Sequence, residues 1–169
     1  DSTANQAVIT RLTSAGTYVD NYIYGDMRIN KLRLDTGNGD GIYLAACGYY
    51  DPAGAVTKTP IVFRINVSGT VQWQVQYPNG SENGEFKDVL PFGDDIYVAG
   101  YTNEGTNNNN NGFLVRMTSN GNTTWGYKVD NGTNNVAMNG VMLDGVNVIA
   151  AGIEQGNSVI INIQRDVAN

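Results

Sequence analysis

The chain has 169 residues, a net charge of −6 and no histidine, and only 15% of its residues are charged. An acidic chain so sparsely charged offers no basic face to nucleic-acid phosphates or to an anionic membrane surface. Without histidine it also lacks the usual general base near neutral pH and the commonest transition-metal ligand.

Asp1 rather than Met opens the chain, so a leading segment is expected to have been removed, by signal-peptide cleavage or by excision from a longer protein. Residues 1–6 (DSTANQ) are polar and read as a flexible arm. Beyond them one phrase recurs. Val8 to Leu12 reads VITRL and is followed by Gly16; Ile61 to Ile65 reads IVFRI and is followed by Gly69; Phe113 to Met117 reads FLVRM and is followed by Gly121. Arg11, Arg64 and Arg116 stand 53 and 52 residues apart, and the three glycines keep the same spacings. A period this constant marks repeated supersecondary units.

Each unit supplies four predicted strands, lettered a to d as a propeller blade would use them. The recurring phrase is strand c. Strand d follows a glycine turn, over Thr17–Tyr24, Thr70–Tyr77 and Asn122–Val129. Strand a is Met27–Leu34, Glu85–Leu90 and Val136–Leu143, and strand b is Ile42–Cys47, Ile96–Gly100 and Val148–Gly152. Asp40-Gly41, Gly93-Asp94 and Asp144-Gly145 are the residues tight turns demand. No segment carries a 3.6-residue apolar period, and none approaches the ~20 apolar residues of a membrane-spanning helix. The prediction is one all-β domain over 7–169, with units of about 7–58, 59–110 and 111–157 and an extra c-like strand within 158–165.

On strand c, Ile61, Phe63 and Ile65 share one face, as do Phe113, Val115 and Met117; Val62 and Leu114 share the other with Arg64 and Arg116. Both faces are largely apolar, so the sheets should stack face to face. The arginines are expected to pair with an acid or with loop carbonyls at a sheet edge. Cys47, in the small apolar strand Leu44–Gly48, reads as a buried thiol or as half of an intermolecular disulfide.

Ala99-Gly100, Phe113-Leu114-Val115-Arg116, Gly121 and Trp125 together resemble the bacterial β-propeller repeats of the SBBP type. Ile61–Ile65, Gly69 and Trp73 repeat the match, and Ala151-Gly152 repeats the end of strand b. The resemblance spans about Val8 to Gln164 and implies blade-like four-stranded sheets in a secreted or surface protein. Such blades serve adhesion, scaffolding and assorted enzymes. The first unit departs from the pattern, with Asp20 where the Trp belongs. Three units are too few for a ring of typically 4–8 blades. A β-trefoil, which also uses three four-stranded repeats, is the alternative fold.

Asp35, Asn38 and Asp40, in a glycine-rich loop, are the candidate Ca²⁺ ligands, although the EF-hand register is not met and a plain turn explains them as well. Asn66, Asn79, Asn122 and Asn131 begin N-glycosylation sequons. Asn107–Asn111 reads as an insertion at a loop tip. Tyrosines and the two Trp could form a sugar platform. Asp88, Asp94, Asp95, Asp130 and Asp144 are carboxylates without the pairing a glycosidase shows. The expected function is non-enzymatic: an extracellular structural protein that joins copies of itself into a filament or oligomer by strand complementation. The joining strands would be Val8, Ile9, Thr10, Arg11 and Leu12 at one end and Val159, Ile160, Ile161, Asn162 and Ile163 at the other. A carbohydrate-binding adhesion module is the second reading, and a fragment of a larger propeller enzyme the third.

Overall fold

The computed structural model describes residues 6–37, 39, 41–52, 57–77, 83–103, 109–129, 132 and 134–165. Within them the chain is all β. The strands are β1 (Gln6–Leu12), β2 (Tyr18–Gly25), β3 (Met27–Asp35), β4 (Tyr43–Tyr50), β5 (Thr59–Asn66), β6 (Val71–Gln76), β7 (Gly84–Phe92), β8 (Asp95–Thr102), β9 (Asn111–Thr118), β10 (Thr123–Val129), β11 (Val136–Asp144), β12 (Asn147–Glu154) and β13 (Asn157–Gln164). Gln6, predicted in the arm, already belongs to β1; the rest of the arm lies outside the described residues.

All pairings are antiparallel between chain neighbours, and they make four separate sheets: β1-β2, β3-β4-β5-β6, β7-β8-β9-β10 and β11-β12-β13. Each four-stranded sheet takes a and b from one sequence unit and c and d from the next. That is the strand order of a propeller blade, and among the described residues no barrel closes as a trefoil would require. The first sheet is a c-d pair alone. The last is a-b-c.

A bulge recurs in every strand a. Pairing jumps from Ile29↔Gly48 to Lys31↔Cys47, from Phe86↔Gly100 to Asp88↔Ala99, and from Met138↔Gly152 to Gly140↔Ala151. The extra residue in each case (Asn30, Lys87, Asn139) bends the strand and pushes its backbone against the partner. Gly48, Gly100 and Gly152, 52 residues apart, sit opposite; a Cβ there would lie 1.9, 2.2 and 2.0 Å from the carbonyl oxygens of Arg28, Glu85 and Ala137. The glycine that ends each strand b is therefore demanded by the bulge, not by a turn.

Sheets stack face to face through three apolar seams. The face turned toward the preceding sheet is called leading here, and the opposite face trailing. Ala45, Cys47 and Val62 on the trailing face of β3–β6 pack on Phe86, Val89, Ile96 and Val115 on the leading face of β7–β10. Tyr97, Ala99 and Leu114 pack in the same way on Met138, Val141 and Val148 of the last sheet. Ala7 and Tyr24 of the hairpin pack on Ile61, Phe63 and Ile65. The central strands are buried on both faces, as their two-sided apolar pattern predicts. Cys47 is a buried free thiol packed as a small hydrophobe, and burial is the main reason its pKa is driven up.

Candidate functional site

At the outer rim of the first two seams, strands c and d of one sheet grip the c-d turn of the next. Arg64 Nε donates to Asp35 Oδ2 at 2.8 Å and its Nη1 to the Ser119 carbonyl at 3.3 Å, while the guanidinium lies 3.8 Å from the Tyr43 ring centroid. Trp73, opposite Arg64 in the ladder, donates Nε1 to the same Ser119 carbonyl at 2.7 Å. Its ring covers Gly121, where a Cβ would come within 2.9 Å and where φ is +83°. Glycine is needed there twice over, for the turn and for the ring.

One repeat earlier the grip is rebuilt with different residues. Arg11 donates to Asp20 Oδ2 at 2.7 Å and to the Val67 carbonyl at 3.2 Å. Asp20 stands at the Trp position and pairs with the arginine, so it cannot cover the turn. Tyr22, two residues on along the same face, does that instead. Its hydroxyl donates to the Val67 carbonyl at 3.2 Å, and its ring would lie 2.2 Å from a Cβ at Gly69. Tyr24 adds a bond from its hydroxyl to the Gly69 carbonyl at 2.9 Å. In the third repeat Arg116 Nε donates to Asp95 Oδ1 at 2.9 Å. The repeated arginine thus pairs with an acid at every copy and with the next sheet's turn carbonyl at the first two.

Nearer the inner strands, Asp88 ties three sheets together. Arg33 Nη2 reaches both of its oxygens, at 3.0 and 3.1 Å, and the Val141 amide donates to Oδ2 at 3.0 Å. Glu85 accepts from Asn30 Nδ2 at 2.9 Å, from the Tyr101 hydroxyl at 3.0 Å and from Lys87. Burial works to raise the Glu85 carboxyl, but the bonds from Lys87, Asn30 and Tyr101 outweigh it and hold the carboxyl below its ordinary value. Burial, with the Glu85 charge and hydrogen bond added, pushes Tyr101 up to about 12. The carboxylates weighed as catalytic candidates are accordingly committed at Asp88 and Asp95; Asp94 and Asp144 are exposed, and Asp130 lies outside the described residues.

The two terminal sheets differ from everything between them. β1 pairs only with β2 and β13 only with β12, so each has an unpaired edge among the described residues. Their outward faces are apolar and uncovered. On the hairpin, Val8, Leu12, Tyr18 and Ile23 are exposed; on the last sheet, Met142, Ile153 and Ile160 are, Ile160 at 70%. Of the predicted joining residues, Val8, Thr10, Arg11 and Leu12 are exposed and Ile9 is half-buried against β3–β6. Ile160 and Asn162 are exposed, Val159 and Ile163 half-buried, and Ile161 is packed in the seam with β7–β10.

A third uncovered area lies under the hairpin. Leu32 and Leu34 of β3 are 37% and 61% exposed, whereas Val89, the register equivalent of Leu32 in the next sheet, is 0% exposed. The covered position is shielded by strands a and b of the preceding sheet, which the hairpin does not have. The result is an apolar groove of about 240 Å³ lined by Ile9, Tyr22, Leu32, Leu34, Ile42 and Leu44.

The other predicted sites separate. Asp35 is buried, with one oxygen on Arg64 and the other accepting from the Gly37 amide at 3.1 Å; Asn38 and Asp40 lie outside the described residues. Among the described residues no three acidic or cysteine side chains gather as a metal site. Asn66 Oδ1 organises its own turn, accepting from the Ser68 hydroxyl at 2.8 Å and the Thr70 amide at 2.9 Å, while Asn122 is exposed. Asn79 and Asn131 lie outside the described residues. Trp73 and Trp125, proposed for sugar stacking, are packed into the seams. No protein-family model matches the chain, and no curated protein matches it.

Proposed function

We propose that this chain is a non-enzymatic structural module whose two incomplete terminal sheets join it to further copies of the same repeat, in a secreted or surface assembly. The single observation that carries the reading is a contrast at equivalent positions. Where β3–β6 meets β7–β10 and where β7–β10 meets the last sheet, the apolar residues between the sheets form buried clusters; at the two ends the same kinds of face, Val8, Leu12 and Ile23 on one side and Met142, Ile153 and Ile160 on the other, stand open beside unpaired strand edges.

An open β-edge is a template for another strand. The two ends present opposite faces of one repeating stack, leading at the hairpin and trailing at the last sheet, so the contact is heterologous and passes from copy to copy. The secreted setting rests on the resemblance to SBBP-type repeats. Light scattering on the purified chain tests the function. The average mass should rise with concentration, and Ile153→Asp or Ile23→Asp, both at exposed positions, should return it to one chain without lowering the thermal midpoint. A mass of one chain at every concentration, unchanged by either substitution, would discard the reading.

A further inference from the structure

Resting on that assembly reading, we propose that the groove under the N-terminal hairpin is the seat of the β11–β12 hairpin of a second copy, and that two copies close a six-bladed ring. The groove's occupant can be read from the seams already built. On the leading face of β7–β10, Phe86, Val89 and Ile96 are covered by Ala45 and Cys47 on the trailing face of a preceding strand b. On the leading face of the last sheet, Met138, Val141 and Val148 are covered by Tyr97 and Ala99. The equivalent leading positions of β3–β6 are Ile29, Leu32 and Leu44, fixed by register against Gly48, and the groove is the gap beside them.

The missing element is therefore an a-b pair with a free apolar trailing face. The chain holds one. Met142 of β11 and Ile149, Ala151 and Ile153 of β12 stand where Leu90, Tyr97, Ala99 and Tyr101 stand in the sheet before, and Met142 (56%) and Ile153 are exposed. Docked in the groove of a second copy, β11–β12 continues through that copy's β1–β2 to make a blade in a-b-c-d order.

Stoichiometry selects the dimer. Each copy brings two complete sheets and, shared with its partner, one composite sheet. Two copies make six blades, whereas one makes three and three make nine; closed propellers typically hold 4–8. Both β1 and β13 are c-type strands, so one is surplus in each composite blade. β1 carries Arg11, which grips the Val67 carbonyl of β3–β6, while β13 carries Asn162 at that position. β13 is the strand that yields its place on β12.

The register names a contact to test. Arg33 meets Asp88 across the seam between β3–β6 and β7–β10; Met142 is the equivalent of Arg33, and exposed Lys31 that of Asp88. In the ring, Met142 of one copy faces Lys31 of the other. The experiment is a full-length chain with Cys47→Ala, Lys31→Cys and Met142→Cys, treated with a short bis-maleimide and followed by denaturing gel, beside native mass spectrometry of the unsubstituted chain. The expected result is a two-chain mass and a cross-linked band that stops at the dimer. Met142→Glu, which sets a carboxylate against Lys31, should tighten the dimer about 2- to 5-fold, and Met142→Lys should loosen it by a similar factor. A ladder of longer cross-linked species would overturn the ring and leave the assembly reading standing. A dimer that neither cross-links at this pair nor responds to either charge would overturn the docking site, and a lone chain under all conditions would overturn both.

Discussion

The seam between β3–β6 and β7–β10 and the seam between the hairpin and β3–β6 carry similar rim contacts over very different interiors. At the first, Arg64 and Trp73 hold the Ser119 carbonyl; at the second, Arg11 and Tyr22 hold the Val67 carbonyl. Beneath the first, the leading residues Phe86, Val89 and Ile96 are buried, while beneath the second Leu32 and Leu34 face solvent. Rim contacts are made by strands c and d, which both seams possess. Strands c and d also cover c-strand residues such as Ile61 and Phe63, but cover over the next sheet's strands a and b comes from strands a and b, which the hairpin lacks. Gripping the next turn and covering the next sheet's inner strands thus belong to different halves of a blade.

Several substitutions sharpen that contrast. The largest difference is expected between the two acid–arginine pairs. Asp35 and Arg64 are almost fully buried, so Asp35→Ala leaves a cation without its partner and should cost about 3–5 kcal/mol. Asp20 and Arg11 are 37% and 44% exposed at the side chain, and Asp20→Ala should cost no more than about 1 kcal/mol. Urea unfolding of the two variants measures both, and near-equal losses would show that the hairpin seam is as dry as the inner one. Next comes the core. Phe86→Ala should cost about 3–5 kcal/mol and its half-covered equivalent Ile29→Ala about 1–2, readable as separate shifts in the urea midpoint.

The rim should behave more evenly. Trp73→Phe and Tyr22→Phe each remove one bond to a turn carbonyl while keeping a ring over the glycine, and each should cost about 1 kcal/mol. A much larger loss at Trp73 alone would mean that packing, not the shared bond, carries the grip. The smallest effect is with pH. Glu85 has a folded pKa below its ordinary 4.5, so the stability it adds is complete above 4.5 and fades as pH falls through the folded value. Tyr101 is raised from 10 to about 12, which favours the neutral phenol in the fold; that contribution fades as pH climbs from 10 toward 12. Glu85→Gln should flatten the acid limb of a melting-temperature profile, and Tyr101→Phe the alkaline limb.

Much of the architecture was legible because it is local. Period-two apolar alternation, turn glycines at constant spacing and the repeated arginine placed the thirteen strands of the described residues and their a-to-d order, and the two-sided apolar pattern of IVFRI and FLVRM foretold stacked sheets. What sequence reading missed is contact between repeats. The glycine closing each strand b looked like the end of a motif, and its cause, a bulge in the partner strand, shows only once the ladder register is known. Asp20 looked like a defect in the first unit. Tyr22, two places on, supplies the missing ring because alternate residues of a strand share a face. The groove was illegible, since it arises from what the hairpin lacks. Its signal was nonetheless in the chain: Leu32, Leu34 and Ile42 are apolar positions for which the first unit offers no covering a-b pair.

The most direct measurement is hydrogen exchange of the full-length chain at low and high concentration, resolved by peptide. If the terminal sheets join copies, amides of β1, β3 and β12 gain protection as concentration rises, while those of β8 and β9, already enclosed on both faces, do not change. Protection in β1, β3 and β12 that is the same at both concentrations would contradict the claim that the ends of the chain are its functional surfaces.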